Sequence, residues 1–119
     1  MPSSVLVVDD DAWFRRLAVR TLSSWGYGVV AEAGTVKEAV KRAAELRPEA
    51  VLVDIGLPDG DGFALAAELS ALAWRPRVVL ISSDADAANG AAARRAGAVG
   101  FVPKDELPGT SLRRLIDGD

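Results

Sequence analysis

The feature that most constrains the fold is an alternation of short apolar runs with amphipathic or alanine-rich segments. The runs are rich in valine, leucine and isoleucine and occupy residues 5–8, 29–33, 50–53, 78–81 and 101–102. Runs without polar alternation are typical of strands that are covered on both faces. Because a helical pattern follows each run, the sequence predicts an α/β fold, with a five-stranded parallel sheet and helices on both of its faces.

The segments between the runs predict five helices, at about residues 12–25, 35–46, 63–72, 86–96 and 110–116. Thr35 with Glu38 three residues later forms a capping-box pattern, which marks the start of the second helix. Gly90 lies inside the fourth segment and costs about 1 kcal/mol relative to alanine, so this helix is expected to be weak.

Apolar spacing predicts which side chains the helices bury. The first helix is expected to bury a stripe at three- and four-residue spacing, which comprises Phe14, Leu17, Ala18, Thr21, Leu22 and Trp25. The third helix is expected to bury Phe63, Ala66, Ala67 and Leu69 or nearby positions. The last helix supplies Leu112, Leu115 and Ile116.

Length and composition bound the functions that are open to this chain. Its 119 residues suit a single domain, 1–119, and the net charge of -3 with scattered basic residues gives no basic patch for direct nucleic-acid binding. The absence of cysteine and histidine excludes thiolate metal sites and serine–histidine–aspartate catalysis. No basic leader region is visible, and no apolar stretch approaches the ~18 residues that span a bilayer, so we expect a cytoplasmic protein without membrane contact.

Charged residues follow three of the apolar runs. Asp9 and Asp10 follow the first, Asp54 closes the third, and Lys104 comes soon after the fifth. The carboxyl ends of parallel strands share one edge of the sheet, where open α/β sheets bind their ligands. Clustered carboxylates about 4 Å apart repel by about 4 kcal/mol per pair at an effective dielectric near 20, so they imply a bound cation.

Oxygen ligands without histidine or cysteine suit Mg²⁺, with Mn²⁺ as the alternative, and Mg²⁺ favours phosphoryl chemistry. In that chemistry Asp54 can act as the nucleophile, Lys104 as a fixed cation and the Ser82 hydroxyl as a hydrogen-bond donor to a phosphoryl oxygen.

Plainer interpretations of single residues remain open. Asp11, or Asp10, suits the N-cap of the first helix, and Lys104 is also compatible with an ordinary surface lysine. Ser82 and Ser83 are compatible with turn residues that bind no ligand. Asp59 and Asp61 are compatible with ordinary loop acids.

Taken together, four motifs resemble the receiver domain of two-component response regulators, and the resemblance covers essentially the whole chain. The motifs are Val7-Val8-Asp9-Asp10, the stretch from Val53 through Asp54 to Phe63, Leu80-Ile81-Ser82-Ser83, and Gly100-Phe101-Val102-Pro103-Lys104. The family implies a doubly wound, flavodoxin-like sheet of strand order 2-1-3-4-5. It also implies phosphoryl transfer to Asp54 from a histidine kinase or phosphotransfer protein.

The resemblance further implies roles for individual residues. Asp10 would be a direct Mg²⁺ ligand and Asp9 a nearer or water-mediated one, together with Asp54 and the Gly56 backbone carbonyl. Ser82 and Phe101 would form the conformational switch. Gly56 and Asp84 flank the site and would tune hydrolysis of the phosphoryl group.

Signalling would follow from that switch. The face made by helix 4, strand 5 and helix 5 would contact a downstream effector protein or output domain. The chain would then be no enzyme beyond self-catalysed phosphoryl acceptance and hydrolysis. Asp105 stands after Lys104 where many members carry proline, so a cis peptide bond is not expected from sequence.

Three rival functions are weighed against this interpretation. A degenerate receiver that acts as a phosphorylation-independent interaction module is disfavoured by the intact set of acids, hydroxyl and lysine. An aspartate-nucleophile phosphatase of the haloacid dehalogenase type would need a different pattern after the first strand, where Trp13 occupies a motif position, and room for a cap domain. A flavin carrier would need phosphate donors where the acidic turn lies.

Overall fold

The computed structural model describes residues 4–83 and 90–118. Five strands form one parallel sheet in the order β2-β1-β3-β4-β5, numbered along the chain for this sheet alone. They are β1 (Ser4–Val8), β2 (Gly28–Ala33), β3 (Ala50–Asp54), β4 (Arg77–Ser82) and β5 (Gly100–Pro103). The fold class and the strand order expected from the sequence are confirmed.

Helices connect the strands and cover both faces of the sheet. They are α1 (Ala12–Ser24), α2 (Val36–Leu46), α3 (Gly62–Ser70), α4 (Gly90–Arg95, in its described part) and α5 (Thr110–Asp117). A short 3₁₀ helix, Lys104–Glu106, follows β5, and two antiparallel two-residue strands, Gly56–Leu57 and Gly60–Asp61, lie in the loop after β3. Of the predicted fourth helix, residues 84–89 lie outside the described residues.

Alternate residues of the central strands supply two apolar cores. Leu6, Val8 and Val51 face α2, α3 and α4, whereas Val7 and Leu52 face α1 and α5. Each fully buried leucine or valine contributes about 1.5–3 kcal/mol relative to its exposed state. Both faces of β1 and β3 are covered. Polar groups of these two strands can therefore approach solvent only at the strand ends.

The predicted helical stripes are partly wrong. In α1 the buried residues are Phe14, Ala18 and Leu22, whereas Leu17 is 44% exposed. The three buried residues are four positions apart and form one row that faces the sheet. Leu17 lies at the solvent-facing border of this row. In α3 Ala66 and Leu69 are buried as expected, whereas Leu65 is buried and Ala67 is exposed, so the buried stripe lies on the Leu65 side of the predicted one.

Helix α2 begins with the predicted capping box in a modified form. The Thr35 hydroxyl accepts a hydrogen bond from the Glu38 N–H at 3.0 Å. The Glu38 carboxylate accepts from the Gly34 N–H at 2.9 Å, one residue before the usual position. Among the described residues, no helix is both long enough and apolar enough to cross a membrane.

Candidate functional site

Three aspartates meet at the carboxyl edge of the sheet. Asp9 follows β1 and is fully buried, Asp54 ends β3 and is 8% exposed, and Asp10 is exposed. One carboxylate oxygen from each lies within 4.8 Å of the others. The cause is the register of two neighbouring parallel strands, in which Val8 pairs with Val53, so that the residues after each pair emerge side by side.

The Lys104 ammonium enters this acidic cluster from two strands away. Its Nζ lies 2.6 Å from Asp9 Oδ2 and 3.7 Å from Asp54 Oδ2. The same Nζ lies 4.4 Å from the centre of the Phe14 ring, a cation–π contact that sequence reasoning missed. The lysine side chain is only 16% exposed, so it belongs to the site and is not an ordinary surface lysine.

Hydrogen bonds from α1 and its N-terminal turn fix the orientation of Asp9. The Asp11 N–H donates to Asp9 Oδ1 at 2.9 Å, and the Arg15 guanidinium donates to the Asp9 backbone carbonyl at 2.6 Å. Asp11 itself accepts from the Trp13 N–H at 3.0 Å, so it is the N-cap of α1, in agreement with the plainer interpretation.

The Asp54 carboxyl is harder to ionise than an ordinary aspartate. Burial raises its pKa, and the neighbouring charge of Asp9 raises it further. The Lys104 ammonium and a hydrogen bond from the Gly56 backbone act in the opposite direction without cancelling the increase. A cation close to the Asp54 carboxylate would therefore favour its ionised form.

The remaining predicted residues lie around this cluster. Ser82 is the last residue of β4, is buried and stands one position beyond Ile81, which pairs with Asp54. Phe101 in β5 is half-buried against the core that contains α4. Gly56 is exposed beside Asp54.

Two further predictions concern the edges of the site. The predicted flanking residue Asp84 lies outside the described residues. No peptide bond in the described parts of the chain is cis, so the bond after Lys104 is trans.

Two loop acids have structural roles that sequence reasoning missed. Asp61 accepts from the Phe63 N–H at 3.0 Å and is the N-cap of α3. Its position just before an apolar helical pattern is a signal that could have identified it. Asp59 accepts from the Val36 and Lys37 N–H groups at the start of α2, a partnership between segments distant in the chain that no local pattern reveals.

The donor set fits a hard divalent cation. All three carboxylates supply oxygen atoms, and Lys104 neutralises one of their charges, which leaves an excess of two negative charges. Among residues 4–83 and 90–118, Asp9 Oδ2 is a buried oxygen that accepts no hydrogen bond of good geometry, despite its short contact with Lys104. A Mg²⁺ or Mn²⁺ ion near this oxygen would satisfy it.

A separate cavity lies at the opposite end of the strands. Its volume is about 460 Å³, and its lining includes Arg47, Trp74 and Arg77. None of the clustered aspartates contributes to it, so its size says nothing about the acidic site.

Comparisons with known proteins agree with this geometry. Residues 5–116 match the family model described as the response regulator receiver domain. The chain is 30% identical to the chemotaxis protein CheY of Thermotoga maritima, over 97% of this chain and 96% of that protein. It is 40% identical to protein-glutamate methylesterase/protein-glutamine glutaminase 5 of Myxococcus xanthus, of which it spans only 34%.

Solved structures give the same result. The signal receiver domain of NarL from Mycobacterium tuberculosis superimposes with a TM-score of 0.83 at 33% identity, with 96% of each chain covered. A LuxR-family two-component response regulator from Aurantimonas sp. gives a TM-score of 0.87 at 28% identity, over 99% of this chain and 84% of that one. With its parallel sheet, its acidic cluster and these matches, the chain belongs to the response regulator receiver domain family.

Proposed function

We propose that this receiver domain accepts a phosphoryl group on Asp54 from a histidine kinase or phosphotransfer protein, with Mg²⁺ bound at the acidic cluster, and that the modification changes its contacts with other proteins. The observation that carries the proposal is the convergence of Asp9, Asp10, Asp54 and Lys104 at one edge of the sheet. We further propose that residues 1–119 act as a single receiver domain.

The chemistry is an in-line displacement at phosphorus. An Asp54 carboxylate oxygen forms the new O–P bond while the P–N bond of the donor phosphohistidine breaks, and the leaving imidazole takes up a proton. When bound, Mg²⁺ would neutralise charge on the phosphoryl oxygens, with Asp9, Asp10, Asp54 and the Gly56 carbonyl as its protein ligands. Mn²⁺ would serve in the same way.

Lys104 and Ser82 are proposed to bind the transferred group. The acyl phosphate adds about one further negative charge and three acceptor oxygens, which suit an ammonium and a hydroxyl. Lys104 lies nearer to Asp9 than to Asp54, so it would shift its charge toward the phosphoryl group. This change in partner gives the phosphorylated state contacts that the unmodified state lacks, as any two-state switch requires.

The response is proposed to reach partners through α4, β5 and α5. Ser82 ends β4 and pairs in register with Pro103 at the end of β5, so a movement of Ser82 toward the phosphoryl group would be transmitted to β5 and Phe101. Phe101 is half-buried, so a change between a more exposed and a more buried position would alter the surface of β5. The partner would be a downstream effector protein or an output domain, and the domain would have no catalytic activity beyond its own phosphorylation and dephosphorylation.

Incubation with acetyl phosphate and Mg²⁺, followed by intact mass measurement, tests the proposal. The wild-type protein should gain one phosphoryl group and Asp54→Asn none. Asp105→Asn removes an exposed acid adjacent to Lys104 and should be labelled like the wild type. Equal labelling of wild type and Asp54→Asn would refute the acceptor assignment, and no labelling of the wild type would favour the phosphorylation-independent interaction module.

A further inference from the structure

The loop after β3 is tied to helix α2 by the carboxylate of Asp59. Its Oδ1 accepts a hydrogen bond from the Val36 N–H at 2.7 Å, and its Oδ2 accepts one from the Lys37 N–H at 3.1 Å. Acceptance from the Val36 N–H lowers the pKa of Asp59, with a further lowering from the Lys37 N–H, so the carboxylate stays ionised. The two oxygens together bind consecutive donors at the positive end of the α2 dipole.

The same loop is held at two other points. The Gly62 N–H donates to the Ile55 carbonyl at 3.0 Å, which closes the loop at its base. At its tip Gly60 packs against α2, since a Cβ at this position would lie 2.9 Å from Val36 Cγ2. The segment between Ile55 and Gly62 therefore has its position set partly by β3 and partly by α2.

This loop carries Gly56, which contacts the acidic site. Gly56 pairs with Asp61 in the small antiparallel hairpin, and its backbone lies close enough to the Asp54 carboxylate to lower the pKa of that carboxyl. A shift of the loop would therefore move the Gly56 backbone relative to the Asp54 carboxylate. Asp59 lies within this hairpin, between the paired residues, and attaches the loop to α2 by hydrogen bonds.

From these contacts we infer that Asp59 is a positioning residue for the metal site, and that it sets cation affinity by attaching the Gly56 loop to the start of α2. The inference rests on the proposed function, since it assumes that the acidic cluster binds Mg²⁺. Asp59 is not one of the three clustered acids, and it would act through the backbone of Gly56 and the carboxylate of Asp54.

A purely helix-capping role is separable from this positioning role. Thr35 caps α2 independently, by accepting from the Glu38 N–H, and none of its hydrogen bonds among the described residues reaches the loop. Removal of Thr35 should weaken the helix terminus without releasing Gly56, whereas removal of Asp59 should do both. Thr35→Ala is therefore a matched control for Asp59→Ala.

The experiment measures Mg²⁺ affinity by isothermal titration calorimetry, alongside amide hydrogen exchange, for the wild type and the two variants. Asp59→Ala should weaken Mg²⁺ binding about tenfold, the low end of the range for groups that orient metal ligands. It should also accelerate exchange at Val36 and Lys37. Thr35→Ala should accelerate exchange at Glu38 and leave the Mg²⁺ affinity within about twofold, because the loop attachment is intact.

Asp59→Asn guards against failure of the alanine variant to fold. Asparagine keeps one acceptor oxygen and loses the second, so an intermediate Mg²⁺ affinity is expected. Unchanged affinity in Asp59→Ala or Asp59→Asn, or equal weakening by Thr35→Ala, would overturn the inference and leave the proposed function standing. A wild-type protein that binds no Mg²⁺ would instead overturn the proposed function together with the inference.

Discussion

The Lys104 ammonium lies 2.6 Å from the Oδ2 of Asp9, 1.1 Å closer than the 3.7 Å that separates it from Asp54. Asp9 is fully buried, and its Oδ2 accepts no well-formed hydrogen bond. The Lys104 ammonium is therefore the main group that balances the buried charge of Asp9. The charge of Asp54 is thus only partly neutralised, and under the proposed function the ammonium would move toward the new anion on Asp54.

Replacement of Lys104 by methionine should destabilise the protein in the absence of divalent cations. The substitution leaves the Asp9 charge buried without its partner, which should cost about 3 kcal/mol, the low end of the range for a broken buried pair. Urea denaturation in the presence of EDTA measures the loss. Lys41→Met, at an exposed position, should change stability by less than about 0.5 kcal/mol. Additional substitution of Asp9 by asparagine should restore most of the stability, and a Lys104→Met protein as stable as the wild type would contradict the assignment.

Replacement of Asp54 by asparagine should stabilise the metal-free protein near neutral pH. The pKa of Asp54 is raised, so the folded state holds this proton more tightly than the unfolded state. The contribution of the carboxyl to stability is therefore present below its unfolded pKa of about 3.9 and is lost as pH rises through the folded pKa. Thermal unfolding across this pH range in EDTA should show the variant's advantage at pH 7 and its disappearance in acid.

Addition of Mg²⁺ should reverse that order, because the cation stabilises the ionised wild-type cluster more than the variant. An Asp54→Asn protein less stable than the wild type at pH 7 in EDTA would show that Asp54 ionisation is not unfavourable in the fold.

Replacement of Gly62 by alanine should disturb the junction between β3 and α3. A Cβ at Gly62 would lie 2.5 Å from both the Asp54 carbonyl oxygen and Ile55 Cα, so the backbone must move. A loss of about 1–3 kcal/mol in the free energy of unfolding is expected, measured by denaturant titration. Gly28→Ala is the matched control, since its Cβ would meet nothing within 4 Å, and equal effects of the two substitutions would contradict this account.

Tyr27 should ionise well above the usual range for a tyrosine. Burial raises its pKa to about 12, helped by the 2.6 Å hydrogen bond that its hydroxyl donates to Asp117. The folded state therefore holds the proton more tightly, and this stabilising contribution is present below the unfolded pKa of about 10 and lost as pH rises through about 12. Tyr27 is the only tyrosine, so ultraviolet difference spectroscopy reports it alone.

In urea the Tyr27 midpoint should return to about 10. Asp117→Asn should lower the native midpoint, because it removes the charge that disfavours the phenolate. A native midpoint near 10 with the far-ultraviolet circular dichroism unchanged would contradict the buried, hydrogen-bonded hydroxyl.

Sequence patterns predicted the strands more reliably than the buried faces of the helices. Continuous apolar runs identify strands covered on both sides, and the acids that follow them identify the edge of the sheet. Leu17 and Ala67 were wrongly expected to be buried, because helical spacing defines a stripe but not which border of the stripe faces the sheet.

By itself, the sequence determined the α/β class, the five strands and the set of acidic, hydroxyl and amine groups at one edge, since these depend on local periodicity and on where each run ends. Tertiary structure decided which of these groups are partners. The pairing of Lys104 with Asp9 and the attachment of Asp59 to Val36 join residues far apart in the chain. Such contacts depend on strand register and loop position, which only the packing of the whole sheet and its helices fixes.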